Sequence, residues 1–227
     1  MKKLSIFFIA LFLAPTLFLT SCDKGDDTLI DATPSFTLMK DYAINNNLDI
    51  NKILTNVDGE KFVAGPPATA ADVPAYIAKY TILDIRQPDA FKAGHIEGAK
   101  NITFANILTE AAAATKPILM VCYTGQTACY ATALMRMYGF SETQALKWGM
   151  SGWNPTTAGP WNNATGDIAK DSPNWKYTAA PAPMVYSDPA ISSLSQDGAT
   201  ILKSRVELAV QDGFKTVKTS DVLANQN

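Results

Sequence analysis

The chain has 227 residues, of which 47% are hydrophobic and 18% charged, and this balance excludes a wholly disordered protein. Its 19 basic and 21 acidic residues give a formal net charge of −2, which excludes the strongly basic surface that nucleic-acid-binding proteins use. One histidine and three cysteines argue against a histidine-based metal site and against a disulfide scaffold. We therefore expect a folded protein with no metal, no cofactor and no nucleic-acid partner.

The N-terminus is typical of an export signal. Two lysines follow Met1, and an almost unbroken apolar run of 16 residues occupies positions 4–19, which is shorter than the ~20 residues of a membrane-spanning helix. The run ends in Leu19-Thr20-Ser21-Cys22, which resembles the lipobox of bacterial lipoproteins. This resemblance implies a signal peptide over residues 1–21 and lipidation of Cys22. The alternatives are an ordinary signal peptide and a permanent membrane anchor.

A lipidated Cys22 would tether the protein to the inner or outer membrane of the bacterial cell envelope, facing outside the cytoplasm. The polar residues that follow predict a flexible stalk over residues 22–34. Beyond it, apolar residues recur at helical spacing from Phe36 to Leu54, and Asn45-Asn46-Asn47 interrupts them, which predicts two short helices. Phe62-Val63-Ala64 then predicts an edge strand.

Two apolar runs predict buried strands, at Thr81–Ile85 and at Pro117–Val121. A helix capped by Asp72 is predicted before the first run, and a helix from Ala128 to Tyr138 after the second. Strands of this kind do not alternate polar and apolar residues, and helices separate them. The pattern predicts an α/β domain whose parallel sheet is covered on both faces.

The segment from Cys122 to Ala128 carries the candidate chemistry. It places a cysteine at the carboxyl end of a predicted central strand and a helix N-terminus a few residues later, which is where ligands bind in open α/β sheets. If the loop curls around the sulfur, its N–H groups and the helix dipole favour a thiolate, and Gly125 supplies the backbone freedom for the turn. Cys122 is then a nucleophile. A buried core cysteine is the alternative.

A longer series of motifs, spanning about residues 55–155, resembles a rhodanese-like domain. The motifs are Asp84-Ile85-Arg86, Phe91, Gly94-His95-Ile96-Glu97-Gly98-Ala99, Asn101-Ile102, the Cys122 loop, Gly139-Phe140 and Gly149 to Trp153. The resemblance implies a five-stranded parallel sheet flanked by helices. It also implies a rhodanese-type sulfurtransferase, in which a cysteine takes a sulfane sulfur as a persulfide and passes it to a thiophilic acceptor.

The resemblance makes Cys122 the catalytic residue. The implied substrate-binding loop consists of Tyr123, Thr124, Gly125, Gln126, Thr127 and Ala128. Asp84 and Arg86 are expected to form an ion pair that supports this loop. Related phosphatases end the loop in an arginine that grips phosphate, and Ala128 occupies that place here, which argues against phosphatase activity. The loop is neutral, whereas relatives that use thiosulfate well tend to carry a cation there, so thiosulfate is not the expected natural donor.

Other conspicuous residues are expected to be structural. His95 is predicted to hydrogen-bond within its turn, and Cys129 to face packing on the helix that follows the loop rather than to act as a resolving thiol. The four tryptophans are scattered and are predicted to cover the core: Trp148, Trp153, Trp161 and Trp175.

The chain thus divides into a signal peptide (1–21), a stalk (22–34), a rhodanese-like domain with a helical lead-in (35–155) and a C-terminal extension that packs on the domain (156–227). In the extension, apolar spacing predicts a helix over residues 199–210, and residues 214–217 predict a strand. The leading hypothesis is a lipid-anchored sulfurtransferase whose partners are a small sulfur donor and a thiophilic acceptor. A non-catalytic rhodanese-fold binding module and a thiol redox protein using Cys122 are the alternatives.

Overall fold

A computed structural model describes residues 34–55, 59–167, 170–171, 179, 182–184 and 186–224. The predicted signal peptide, the lipidated Cys22 and all but the last residue of the predicted stalk lie outside these residues, as does Trp175. Within the described ranges, none of the helices combines the length and the apolar character that crossing a membrane requires.

A parallel sheet forms the centre of the described fold. Its strands are β1 (Val63–Ala64), β2 (Thr81–Asp84), β3 (Lys100–Asn101), β4 (Ile118–Val121) and β5 (Gln144–Leu146). They lie in the order β1-β5-β4-β2-β3, and each neighbouring pair is parallel. The predicted five-stranded parallel sheet is confirmed, and β1 lies at its edge as predicted.

Helices flank the sheet. They are α1 (Ser35–Asn45), α2 (Ile50–Ile53), α3 (Val73–Ile77), α4 (Pro88–Ala93), α5 (Ile107–Ala113), α6 (Gln126–Tyr138), α7 (Gly149–Trp153), α8 (Gly159–Asn162), α9 (Gly198–Asp212) and α10 (Thr219–Ala224). Short 3-10 helices lie at Ala70–Asp72, Phe104–Asn106 and Pro155–Thr157. The two predicted helices of the lead-in are α1 and α2.

Strand β4 shows why the sheet is covered on both faces. Ile118 and Met120 belong to one apolar cluster, and Leu119 and Val121 belong to another. Successive side chains of a strand point to opposite faces, so the two clusters lie on opposite sides of the sheet. None of the four residues is more than 3% exposed. A strand buried on both faces has no polar side to show, which explains its unbroken apolar sequence.

Helix α9 belongs to one of these two clusters. Its buried residues Leu202, Val206 and Val210 share the cluster with Leu134 and Met135 of α6. The helix begins after Asp197, whose carboxylate accepts a hydrogen bond from the Thr200 N–H at 2.9 Å and so caps the first turn. The helical pattern predicted for residues 199–210 is confirmed.

One local prediction is wrong and another is correct only in part. Residues 214–217 form no strand: after Gly213 (φ 70°) ends α9, the Phe214 ring instead packs on Tyr130, with ring centroids 5.6 Å apart. Asp72 is the N-cap residue of α3, but its side chain makes no capping hydrogen bond to that helix, because its carboxylate accepts hydrogen bonds from the Thr69 N–H at 3.1 Å and the Thr69 hydroxyl at 2.7 Å. Asp72 thus closes the 3-10 turn before the helix.

Candidate active site

Cys122 lies immediately after β4 and is only 3% exposed. Its Sγ accepts hydrogen bonds from the backbone N–H groups of Gly125 (3.1 Å) and Ala128 (3.3 Å). The loop therefore closes around the sulfur, with two N–H dipoles pointing at it. Such a nest of N–H groups binds anions and stabilises a thiolate over a neutral thiol.

The start of α6 adds to this effect. Gly125 has φ 95°, a conformation that costs glycine little, and it reverses the chain so that α6 begins at Gln126. The Cys129 N–H then donates to the Gly125 carbonyl at 2.8 Å and closes the first helical turn. Because the 13-residue helix starts beside the sulfur, the positive end of its dipole also favours negative charge there.

Helix α7 also binds the loop, through backbone hydrogen bonds. The Met150 N–H donates to the Cys122 carbonyl at 2.9 Å, and the Ser151 N–H donates to the Tyr123 carbonyl at 3.0 Å. Gly149, with φ 56°, lies so close that a β-carbon at this position would overlap the Cys122 carbonyl oxygen. The Gly149 to Trp153 motif is visible in the sequence, but its contact with the Cys122 loop was not predicted. The available signal in the sequence was the close spacing of Gly149 and Gly152, and the structure shows that a β-carbon fits at neither position.

The buried ion pair of Asp84 and Arg86 lies beside the loop and contacts Tyr123. Arg86 Nε lies 3.0 Å from both Asp84 carboxylate oxygens, and Arg86 Nη2 lies 2.7 Å from Oδ2 and donates to the Gly94 carbonyl at 2.8 Å. The Arg86 side chain is 3% exposed and the Asp84 side chain 0%. The guanidinium carbon lies 5.9 Å from the centre of the Tyr123 ring, and the Tyr123 hydroxyl accepts a hydrogen bond from the Gln87 N–H at 3.2 Å. The structure thus brings together Asp84, Arg86 and the first residue after the cysteine.

The other residues predicted for the loop surround the same point. Gly125 and Ala128 are buried, Thr124 and Thr127 are half-buried, and Gln126 is exposed at the start of α6. None of these side chains carries a charge. Arg86, the cation that contacts Tyr123, is already bound to Asp84 and to a backbone carbonyl, so it has few donors left for an anionic substrate.

Cys129 differs from Cys122 in its surroundings. It is half-buried and packs against the apolar cluster that includes α6 and α9. Burial raises the pKa of the Cys129 thiol, and the neighbouring Cys122 raises it further. A thiol with a raised pKa is a poor nucleophile near neutral pH because little of it is ionised. Both cysteines are free.

His95 takes part in a local structure on the surface. Its Nδ1 lies 2.9 Å from the Phe91 carbonyl oxygen, which can only accept, so Nδ1 carries the hydrogen. Its ring stacks on Phe91, with centroids 4.0 Å apart and planes within 14°. These contacts orient the Gly94–Ala99 turn, as expected for a structural histidine.

The prediction that the tryptophans cover the core is correct for Trp153, which packs in an apolar cluster 5.9 Å from the Tyr76 ring centre. It is wrong for Trp148 and Trp161, which are 52% and 40% exposed and pack on each other with ring centroids 5.1 Å apart. The chain reverses at Trp148 (φ 61°) to bring Gly149 against the loop. The Trp148 side chain therefore stays largely in solvent.

A cavity of about 350 Å³ lies elsewhere on the fold. Its lining includes Pro117, Ile118 and Thr143, at the beginnings of β4 and β5. Cys122 lies at the opposite end of β4, so this cavity is not part of the candidate site.

Known proteins resemble the segment that carries this geometry. A family model described as a rhodanese-like domain matches residues 69–156. The thiosulfate sulfurtransferase GlpE of Pseudomonas fluorescens is 34% identical over 77 residues, which cover 33% of this chain and 71% of the relative. GlpE of Pseudomonas paraeruginosa is 32% identical over 88 residues, which cover 38% and 78%.

Among solved structures, a rhodanese-related protein from Thermoplasma volcanium aligns with a TM-score of 0.33 and 23% identity, over 39% of this chain and 89% of that one. The family match and the GlpE relatives carry the assignment, because the match includes Cys122 and its supporting residues and each of the two relatives is covered over more than two thirds of its length. The chain belongs to the family of rhodanese-like domain proteins.

Proposed function

We propose that this protein is a sulfurtransferase that moves sulfane sulfur through a persulfide on Cys122 to a thiophilic acceptor. The observation that carries the proposal is the convergence of the Gly125 and Ala128 N–H groups on the Cys122 sulfur. This nest favours the anionic sulfur that both halves of the reaction need. The resemblance to proteins named thiosulfate sulfurtransferase supports the same activity.

In the first half-reaction, the Cys122 thiolate attacks the sulfane sulfur of the donor. A bond forms between Sγ and that sulfur, the bond from the sulfane sulfur to the rest of the donor breaks, and the leaving group departs with the electron pair. In the second half-reaction, a nucleophilic acceptor attacks the terminal sulfur of the persulfide and releases the Cys122 thiolate. Because a thiolate both starts and ends the cycle, no separate base is needed.

The supporting residues keep the loop ready for this chemistry. The Asp84–Arg86 pair holds Tyr123, and the first turn of α7 binds the carbonyl groups of Cys122 and Tyr123. Donors that are already in place stabilise charge without first having to reorganise, which is the main source of electrostatic catalysis. Asp84 and Arg86 therefore act through the loop and are positioning residues.

We also propose that the protein is anchored by lipid at Cys22 in the bacterial cell envelope, facing outside the cytoplasm at the inner or the outer membrane. The support is in the sequence: a positive start, an apolar run too short to span a bilayer, and the Leu19-Thr20-Ser21-Cys22 motif at its end. In this proposal the polar residues after Cys22 act as the stalk that the sequence predicts over residues 22–34.

Intact-mass analysis of the mature protein after incubation with sulfur donors tests the activity. We expect wild type and Cys129→Ser to gain one sulfur atom that is lost again when an acceptor thiol is added, and Cys122→Ser to gain none. Formation of a Cys122–Cys129 disulfide without a persulfide would instead indicate a redox protein. An unchanged mass with every donor, together with an intact fold, would indicate a binding module.

A further inference from the structure

Two exposed aromatic rings pack on each other in the region of the chain that follows β5. Trp148 and Trp161, the tryptophan pair, pack on each other at 5.1 Å and an interplanar angle of 57°, yet they remain 52% and 40% exposed. Two exposed rings that pack together form a contiguous aromatic patch, and an exposed apolar patch beside a reaction site is typical of a ligand-binding wall.

The backbone of Trp148 is fixed against the reaction site. If Gly125 had a β-carbon, the nitrogen and the α-carbon of Trp148 would lie 3.3 Å and 3.4 Å from it. Gly125 is one of the two residues whose N–H groups donate to the Cys122 sulfur, so the backbone of Trp148 lies beside the loop that holds the reacting atom. Trp148 also has φ 61°, a conformation that bulky side chains rarely adopt. Strained residues of this kind gather at functional sites.

The second ring comes from outside the segment that the family shares. Trp161 lies on α8, beyond the matched residues 69–156, so this chain adds the ring to the rhodanese-like domain. The loop at the same place carries no charged side chain, and Arg86 is bound to Asp84 and Gly94. The loop therefore offers a small dianion N–H dipoles but no side-chain charge, whereas the tryptophan pair offers an apolar surface.

We propose that the tryptophan pair binds the apolar part of an organic sulfane-sulfur donor, and that the protein therefore prefers thiosulfonates or persulfides with a bulky apolar group to inorganic thiosulfate. This inference rests on the proposed sulfurtransferase function and names the substrate class for it. With a thiosulfonate, R–SO₂–S⁻, the Cys122 thiolate bonds to the terminal sulfur, the sulfur–sulfur bond of the donor breaks, and the sulfinate R–SO₂⁻ leaves with the electron pair. The group R then lies against the rings.

Two donors with the same reacting group test the proposal. Benzenethiosulfonate and methanethiosulfonate carry the same charge and differ in R, a phenyl ring or a methyl group. For each donor, the rate constant for persulfide formation on Cys122 is divided by the rate constant for the reaction of the same donor with a free thiol, which removes differences in intrinsic reactivity. The normalised ratio is the value for the phenyl donor divided by the value for the methyl donor. For the wild type we expect this normalised ratio to favour the phenyl donor about tenfold, the scale of one additional aromatic contact with burial of the ring.

Variants connect this preference to the rings. Trp161→Ala is expected to bring the ratio close to one, and Trp161→Phe to restore most of it. Trp148→Gly removes the other ring while suiting the backbone at that position, so it is expected to lower the ratio without lowering the melting temperature. Tyr186→Ala, which removes an exposed aromatic side chain of the C-terminal extension, is the matched control and should keep the wild-type ratio.

The outcomes separate this proposal from the function on which it rests. A wild-type ratio near one, or a ratio that Trp161→Ala leaves unchanged in a folded protein, would overturn the role of the tryptophan pair while persulfide formation on Cys122 still supported a sulfurtransferase. Absence of a persulfide with every donor would overturn both. Quenching of tryptophan fluorescence by benzenesulfinate in Cys122→Ser, lost when Trp161→Ala is added, gives a readout that needs no turnover.

Discussion

Gly149 lies so close to the carbonyl oxygen of Cys122 that no side chain fits between them. The contact joins the segment after β5 to the loop after β4, and the neighbouring Met150 N–H donates to the same carbonyl at 2.9 Å. Because this carbonyl belongs to the nucleophile itself, the position of the sulfur depends on a residue 27 positions later in the chain.

Gly149→Ala should therefore displace the loop. A β-carbon would overlap backbone atoms, which cannot move aside as a flexible side chain would, and φ 56° adds strain for alanine. We expect a loss of about 3 kcal/mol in the free energy of unfolding and a large loss of persulfide formation. Chemical denaturation and intact-mass analysis measure the two effects. Gly65→Ala, where a β-carbon meets nothing within 4 Å, is the control and should behave as wild type.

Asp84→Asn should cost stability more than it changes the chemistry. It leaves the Arg86 guanidinium buried with its charge uncompensated, which should lower the free energy of unfolding by about 3 kcal/mol. Asp89→Asn is the matched control, because the Asp89–Lys92 pair at 3.8 Å is on the surface and should contribute little. Urea unfolding of the two variants makes the comparison. Unchanged unfolding of Asp84→Asn together with lost sulfur transfer would instead place Asp84 in the reaction.

The buried strands and the helix after the loop were predictable because their signals are local. The apolar run at β4 predicts a strand covered on both faces, and Gly139 marks the end of α6. The Asp84–Arg86 pair could also be predicted from the sequence, since side chains two residues apart at a strand end lie on the same side of the strand.

Contacts between distant segments were not predictable in the same way. Neither the clamp of Gly149 on Cys122 nor the pairing of Trp148 with Trp161 has a periodic pattern, because each depends on how two loops meet in space. The strand predicted at residues 214–217 failed for a related reason. Its apolar residue Phe214 has a partner in Tyr130, so packing on a helix replaces pairing in a sheet.

Cys129 should react with iodoacetamide more slowly than a free cysteine, because burial raises the pKa of its thiol and only the thiolate reacts. The Cys122→Ser variant isolates this thiol, and the shift should persist there since burial is its larger cause. Alkylation of the Cys129 peptide followed by mass spectrometry across pH should give a midpoint above the ~8.5 of a free cysteine. Unfolding in urea should restore the ordinary value. A midpoint below ~8.5 in the folded protein would support a redox role for Cys129.

Cys22→Ala should leave the protein without lipid. The diacylglyceryl group is transferred to the cysteine at the end of the export signal, and the other cysteines of the chain, at positions 122 and 129, lie far from that signal. Metabolic labelling with a fatty acid analogue should therefore mark the wild type and not the variant. Cys129→Ser is the control and should be labelled normally. Label that persists on Cys22→Ala would contradict the proposed anchor.

Gln126→Arg should improve the use of thiosulfate. Wild-type turnover with this dianion should be slow, because loop residues 123–128 supply N–H dipoles to the Cys122 sulfur and carry no charged side chain. Gln126 is exposed at the first turn of α6, so an arginine there can reach an anion at the mouth of the loop through a charge-assisted hydrogen bond. We expect KM for thiosulfate to fall about fivefold to tenfold at low ionic strength, and the gain to shrink as salt screens an exposed charge. Gln126→Glu, the matched variant of opposite charge, should raise KM. Fast thiosulfate turnover by the wild type, or equal KM values for both variants, would show that charge at the loop does not limit the choice of donor.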